Sequence, residues 1–413
     1  MRDKARMPWK ETDAMNERVR LVLEWERRWN LAEGGQVDVA ELCRRFGVSR
    51  QTGYVWIKRY CEASHDIRAM DEVSRRPHSS PTAIEEEMQD LVVAARKVHP
   101  RWGPRKLRAW LQHRYPGSGF PSASCMSAIL KRHGLSKPRK RVRRRATPST
   151  QPFGDCAGPN DTWCIDFKGK FRTQDGRWCH VLTLLDAWSR YLLRCEALLD
   201  PDGAAVERIL DSAFQEFGLP AAIRSDNGPP FASTGAAGLT RLSVWWLQLG
   251  IRLERIEPGE PQQNGRLERA HSTLEEIVAT PAADVIAEQR ELGPWRRQYN
   301  EDRPHEALGQ RPPAHLYEPS PRRYPRKLIR PEPYGWNEVC RIGTDGCIRW
   351  RKRKLHVTNA LIGEDVELER VGETKWLVRY GPLTLGTFDI EQLNKGMIRK
   401  RMKTGEVSGM SLG

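Results

Sequence analysis

The chain has 413 residues, enough for several domains, and carries 69 Lys and Arg against 53 Asp and Glu, a net charge of +16 with a pI near 9.6. That balance favours a polyanionic partner, and no apolar run is long enough to span a bilayer. The N-terminus lacks the apolar core of a secretory signal and the nine Cys include no C-x-x-C pair, so the expectation is a cytoplasmic protein with reduced thiols.

Residues 16–75 read as helical. A charged helix runs from Glu17 to Trp29. A second spans Val37 to Phe46, with apolar positions at Val39, Leu42 and Phe46. Gly47 suits its C-terminal stop, and Ser49 can cap a third helix from Arg50 to Cys61. Val55, Trp56 and Tyr60 are expected on the core side of that helix. Helix, short Gly turn and capped helix form the helix-turn-helix pattern, which would present Arg50, Gln51, Thr52, Tyr54 and Lys58 to DNA. The bland alternative is a helical bundle that touches no DNA. A Pro- and Ser-rich linker at 76–82 leads to a second helical unit. Its apolar spacing is Met88, Leu91, Val92 and Ala95, Pro104 opens one helix and Pro121 another, and Gly134 ends it. Ser122, Ser124, Ser127 and Lys131 are its candidate contacts.

From Lys131 to Arg145 there are nine Lys or Arg and no acid. Such a block repels itself. It reads either as a solvated linker or as an arm along a phosphate backbone, carried by Arg139, Lys140, Arg141, Arg143, Arg144 and Arg145, which would make affinity strongly salt-dependent.

A different composition follows. Trp163, Ile165 and Phe167 alternate with Cys164, Asp166 and Lys168, the period of a strand. Strands are also expected at 181–185 and 191–198, joined by Asp186-Ala-Trp-Ser-Arg190. Val206, Ile209, Leu210, Ala213, Phe214 and Phe217 mark an amphipathic helix. Ala222 to Ser225 is a short strand that delivers Asp226 to its end. A helix over 239–249, a strand over 251–256 and a helix opened by Pro261 complete a mixed α/β sheet. In that last helix Glu268 is expected in the second turn, with Leu267, Ala270, Leu274 and Ile277 facing the core. Prolines from 312 to 333 form a stiff linker. Short strands at 338–342, 347–350, 355–357, 364–369 and 376–380 suggest a small β-barrel, and 395–403 a basic tail.

Three carboxylates stand out in this core: Asp166, Asp226 and Glu268. Converging carboxylates suit hard divalent cations such as Mg2+. Two such ions roughly 3.5–4 Å apart can activate a nucleophile and stabilise the leaving oxygen of a phosphodiester. Each acid also has an ordinary reading, as a surface residue, a turn residue or a helix-start residue, and Glu260, Glu275 and Glu276 are rival third ligands.

The stretch 159–319 resembles the integrase core of insertion-sequence transposases, within the retroviral-integrase superfamily. The resemblance rests on five motifs in order: W-C-I-D-F-K-G (163–169), L-D-A-W-S-R (185–190), S-D-N-G-P-P-F (225–231), P-Q-Q-N-G-R-L-E-R-A-H (261–271) and Y-N-E-D-R-P-H-E-A-L (299–308). It implies a ribonuclease-H-like fold and a D-D-E triad on Asp166, Asp226 and Glu268 as catalytic residues and metal ligands. It also implies two Mg2+ ions, with Mn2+ as the expected substitute. The spacing of 42 from Asp226 to Glu268 exceeds that of the commonest relatives, and the surplus falls around 232–238. No His-His-Cys-Cys zinc pattern precedes the core. Lys168, Arg190, Arg266 and Arg269 are candidate phosphate contacts, with ordinary surface charge as the alternative, while His271, Arg303 and His305 read as structural.

The expected organisation is therefore a helix-turn-helix domain (1–75), a second such unit (76–136), a basic linker (137–158), a ribonuclease-H-like core (159–320), a Pro-rich linker (321–336), an SH3-like barrel (337–394) and a basic tail (395–413). The expected activity is that of a DNA transposase. It would bind terminal repeats of double-stranded DNA as at least a dimer and free 3′-hydroxyl ends. It would then join them to target DNA in the bacterial cytoplasm at the nucleoid, with no small-molecule substrate. The alternatives are a catalytically silent regulator and a nuclease that cuts without joining.

Overall fold

The computed structural model describes residues 14–32, 36–72, 84–136, 153, 156–328 and 337–400, in two units that divide after Ala83. The candidate arm residues Arg139 to Arg145 and the chain beyond 400 lie outside the described residues.

The first unit holds α1 (Ala14–Leu31), α2 (Val39–Arg45) and α3 (Arg50–Glu62). Asp38 caps α2 and Ser49 caps α3, each side-chain oxygen accepting backbone N–H groups of the first turn, and Gly47 takes the left-handed φ of +67° that ends α2. Leu21, Val22, Leu42, Ile57, Tyr60 and Met70 are its core. The expected core face of α3 is corrected here: Val55 is exposed, and Ile57, two positions on, is buried instead. The shift follows from Gly53, which faces α2 so closely that a Cβ there would overlap Cys43 Sγ, and it is the Gly53–Ile57–Tyr60 stripe that turns inward. Gly53→Ala is accordingly expected to destabilise this unit by about 1–3 kcal/mol through overpacking, despite a gain of about 1 kcal/mol in helix preference. A lower first thermal transition of the full chain is the readout.

The second unit begins with α4 (Glu86–Val98), α5 (Pro104–Arg114) and α6 (Ala123–Arg132), packed around Val92, Trp102, Leu107, Leu111, Met126 and Ile129. Pro104 sits at the first helical position as expected, and Ser122 caps α6 through Cys125 N–H.

The α/β core is a five-stranded mixed sheet: β1 (Thr162–Arg172), β2 (Trp178–Asp186), β3 (Leu192–Leu198), β4 (Ala222–Ser225) and β5 (Arg252–Arg255), in spatial order β3-β2-β1-β4-β5. The first three are antiparallel, whereas β4 runs parallel to β1 and β5 parallel to β4. Strand parity sorts the side chains. Trp163, Ile165, Leu182 and Leu184 join the core under α7 (Gly203–Phe217) and α8 (Arg241–Gln248). Cys164, Val181, Leu185 and Leu192 face the opposite layer, α9 (Gly265–Val278) and α10 (Val285–Glu301). Both faces are covered, and in β2 the run from Val181 to Leu185 is correspondingly apolar apart from Thr183.

The C-terminal strands are β6 (Glu338–Arg341), β7 (Cys347–Trp350), β8 (Arg353–His356), β9 (Asp365–Arg370), β10 (Lys375–Tyr380), β11 (Leu383–Asp389) and β12 (Ile398–Arg399). The expected closed SH3-like barrel is not formed among the described residues. Five strands make an open sheet in the order β12-β11-β10-β9-β6, and β7 and β8 form a separate hairpin. The hairpin covers the sheet through Trp350, against Trp376 and Phe388, instead of bonding to its edge. Closure is also unnecessary for burial, because this module shares an apolar cluster with the α8 layer, and Tyr380 O–H meets Gln248. The head of the expected linker is fixed to the core: Arg322 donates to the carbonyls of Pro220, Leu249 and Gly250, and Tyr324 O–H to Asp211. Likewise the expected tail enters the sheet as β12.

Candidate functional site

Asp166 lies mid-way along β1, on the α9 side of the sheet by the same parity as Cys164. Just beyond it the strand bulges between Phe167 and Lys170, with Gly169 at φ +92°. Such a bulge re-aims a strand end and needs a residue free of the Cβ clash. Asp226 directly follows β4. The parallel register runs from Thr162 with Ala222 to Cys164 with Arg224, and two residues beyond it Asp226 comes close enough to Asp166 for its charge to raise that acid.

The third acid arrives on a helix. A short 3-10 turn over Pro261–Asn264 precedes α9, so Glu268 lies in the first turn of the α-helix rather than the second. Val278 is the buried end of its apolar stripe and Ile277 is only partly covered. One bond sets the position of α9 over the sheet. Thr183, paired with Asp166 across β1 and β2, has its Oγ1 2.7 Å from His271 Nε2 and donates to the Asp166 carbonyl at 3.0 Å. Glu268 lies three residues before His271, one helical turn, and so is carried towards Asp166. Burial and the nearby Lys168 push His271 down to about 4, so it is the neutral imidazole that makes this bond at pH 7. His271 reads as structural in the sequence. Its link to Thr183 was not legible there, because it depends on the β1–β2 register.

Burial pushes Asp166 up to about 7, with Asp226 and Glu268 adding repulsion against the weak help of the Phe167 N–H. Asp226 is raised too, chiefly by burial, and its buried Oδ1 has no hydrogen-bond partner. Two acids raised by burial, Asp166 also by the charge of Asp226 and Asp226 with an orphaned buried oxygen, fit a hard divalent ion in donor type. Among the described residues, however, no group of three His, Cys, Asp or Glu is already close enough to hold one. The rival acids are engaged elsewhere: Glu275 pairs with Lys168 at 2.9 Å, Glu276 with Arg303 at 3.5 Å, and Glu260 accepts from the Gln262 amide.

The candidate DNA contacts fall into distinct settings. Arg50, Gln51, Thr52, Tyr54 and Lys58 are all exposed on α3, although Lys58 also reaches Glu62 at 3.7 Å and the Thr52 hydroxyl meets Ser49. In the second unit Ser124, Ser127 and Lys131 are exposed on α6, whereas the Ser122 hydroxyl is taken by its cap. Arg190 adopts φ +65°, and its guanidinium and that of Arg266 both donate to the Ala187 carbonyl. Arg269 is exposed beside Glu268. The Asp186 carboxylate accepts from Asn160 N–H and from the Ser189 N–H and hydroxyl, so it holds the β2–β3 turn together and takes no part in the acidic set. Gly265 faces open space where a Cβ would stand, so close packing against protein does not explain that glycine.

Comparison with known proteins gives a consistent family assignment. An "Integrase core domain" profile matches residues 157–261, a second of the same description matches 249–313, and a "Homeodomain-like domain" profile matches 52–130. An uncharacterized 39.2 kDa protein of insertion element IS476 from Xanthomonas euvesicatoria is 30% identical over 57% of this chain and 65% of its own length. An uncharacterized 31.7 kDa protein of insertion element IS407 from Burkholderia multivorans is 28% identical over 55% of this chain and 80% of its own length. The Gag-Pol polyprotein of baboon endogenous virus is 29% identical over 34% of this chain and 7% of that protein.

Proposed function

We propose that the chain is an insertion-sequence transposase of the retroviral-integrase superfamily, a reading supported by the integrase-core matches and the insertion-element relatives, and that it cuts DNA at transposon ends and joins the freed 3′-hydroxyls to target DNA. The observation that carries this reading is Asp226, just past the end of β4, lying close enough to Asp166 on β1 for their charges to repel, with α9 bearing Glu268 held over the sheet by His271 and Thr183. Asp166, Asp226 and Glu268 would hold Mg2+, which when bound supplies activation of the attacking oxygen and charge for the leaving one. The protein's own share is geometric. The sheet fixes Asp166 and, just past β4, Asp226, and the pinned helix carries Glu268. No Ser, Tyr or Cys nucleophile is needed. Cys164 and Cys195 are fully buried, and Cys164 is pushed up to about 12, the opposite of an activated thiol.

In this reading α3 and the second helical unit recognise terminal repeats, and the arm at 137–145 follows the phosphate backbone. Joining two ends calls for at least two protomers. No helix among the described residues is long and apolar enough to cross a membrane. The test is a strand-transfer assay with labelled terminal-repeat duplex and Mg2+. A transposase cleaves and joins. Binding without cleavage would leave a regulator, and cleavage without joining a nuclease.

A further inference from the structure

Helix α5 packs against the chain that follows α10. Arg105 pairs with Glu306 at 3.1 Å, and the His113 and His315 rings lie 5.2 Å apart. Between α5, the first turn of α9 and residues 299–307 lies a cavity of about 620 Å3 that opens beside Glu268. Its wall gathers Lys106, Arg190, Arg266, Arg269 and Arg303. Arg303 alone of these has an acidic partner, and the Glu306 on the rim is taken by Arg105. Among the described residues Lys106, Arg190, Arg266 and Arg269 have no carboxylate partner. Arg190 and Arg266 are held against one carbonyl, so their mutual repulsion is built in and only an anion would relieve it.

Two further observations point to a ligand. Arg303 is 8% exposed, yet its Nε has no acceptor, and the buried Nε2 of His305 on the same wall is also without a partner. Gly265, where a Cβ would meet nothing, leaves the start of α9 open to the same space. The cation count and the volume exceed what a single free phosphate needs. Both suit a chain of phosphates passing through.

We infer that this cavity takes backbone phosphates of a DNA strand next to Glu268, and that Lys106, contributed by the second helical unit, is one of their ligands. The inference rests on the transposase reading and adds to it: α5 helps to seat the strand that is cut, so the second unit is part of the reaction surface as well as a reader of sequence. Lys106 is half-buried and pushed down to about 8 by burial and by Arg303, against the opposing pull of Glu276 and Glu306.

The experiment measures binding of a labelled terminal-repeat duplex by fluorescence anisotropy over a salt series, for the full chain and for Lys106→Gln, Arg266→Gln and Lys106→Arg. Each Gln variant should lose affinity roughly 5-fold and lower the log–log salt slope by about 0.9, the share of one phosphate contact. Lys106→Arg should keep the slope, and Arg208→Gln, exposed on α7 across the sheet, should change neither. Thermal midpoints of the Gln variants matching wild type would place the loss in binding and not in folding. Unchanged affinity and slope in both Gln variants, with strand transfer by the wild type intact, would overturn this inference alone. A wild type that bound no duplex would overturn it together with the transposase reading. If inorganic phosphate stabilised the wild type but not Lys106→Gln, while the two bound duplex equally, the cavity would be a free-phosphate site and the DNA assignment would fall.

Discussion

Asp166→Asn, Asp226→Asn and Glu268→Gln should each lower cleavage and strand transfer on the order of 10³-fold or more, the scale of losing a preorganised charge that acts on the transition state. Duplex affinity should stay within a few-fold, because the proposed binding surfaces are carried by cations of α3, the second helical unit and the basic cavity, which these variants leave in place. Strand transfer surviving in any one variant would remove that acid from the triad. A second readout needs no metal. Asp166 rises to about 7 in the folded chain from an ordinary value of 3.8. An acid with a raised folded value binds its proton more tightly folded than unfolded, so its contribution favours folding at low pH and is lost as pH climbs from about 4 to about 7. Asn has no such dependence. With EDTA present, Asp166→Asn should therefore gain thermal stability over wild type across that window, the gap levelling off above pH 7. Adding Mg2+ should reverse the order, since only the wild type has the carboxylate to bind it. A gap that shrinks with rising pH would contradict the crowding of acids at this site.

Much of the core was legible because its signals are local. The alternation around Asp166 gives both the strand and the face, whereas the choice of Glu268 over Glu260, Glu275 and Glu276 rests on the family resemblance carried by N-G-R-L-E. What was not legible depends on partners far along the chain. His271 earns its place only through Thr183, 88 residues away. Lys106 looks like one surface lysine among many until α5 meets the segment after α10. Helix α10 has a clear stripe at Glu288, Leu292, Trp295 and Tyr299, but Pro294 inside it argues for a break that the structure does not make. The C-terminal strands were readable one by one and their closure was not, since strand patterns fix which side chains face inward and leave edge pairing to tertiary packing. In α3 the helix itself was plain and Trp56 and Tyr60 do pack on the core, but Val55 was misplaced because the deciding contact belongs to a glycine.

The largest expected effect on stability comes from a pair that sequence pattern passes over. Arg224 and Glu254 face each other directly across β4 and β5, 4% and 5% exposed, with Nε and a terminal guanidinium nitrogen at 3.0 and 2.8 Å from one Glu254 oxygen. The guanidinium also donates to the Gln263 carbonyl at 3.3 Å and lies 4.1 Å from the Phe153 ring centre. Charges inside a four-residue strand suggest solvent, but here a neighbouring strand supplies the counter-charge and the pair is sealed in. Glu254→Gln should cost about 3–5 kcal/mol, because it strands a buried guanidinium without its counter-charge. The thermal midpoint of the second unit should fall by several degrees, on the order of 5–10 °C. The double variant Arg224→Met, Glu254→Leu should recover most of that stability, since a well-packed apolar pair of similar volume avoids the desolvation of two ions. It should not recover strand transfer. Gln263 belongs to the 3-10 turn that feeds α9, and without the donor from Arg224 that turn loses one of the bonds aiming Glu268 at the sheet. Stability and activity would then separate in the double variant. A Glu254→Gln chain as stable as wild type, or a double variant with full strand transfer, would show that this pair neither holds the sheet nor positions the helix.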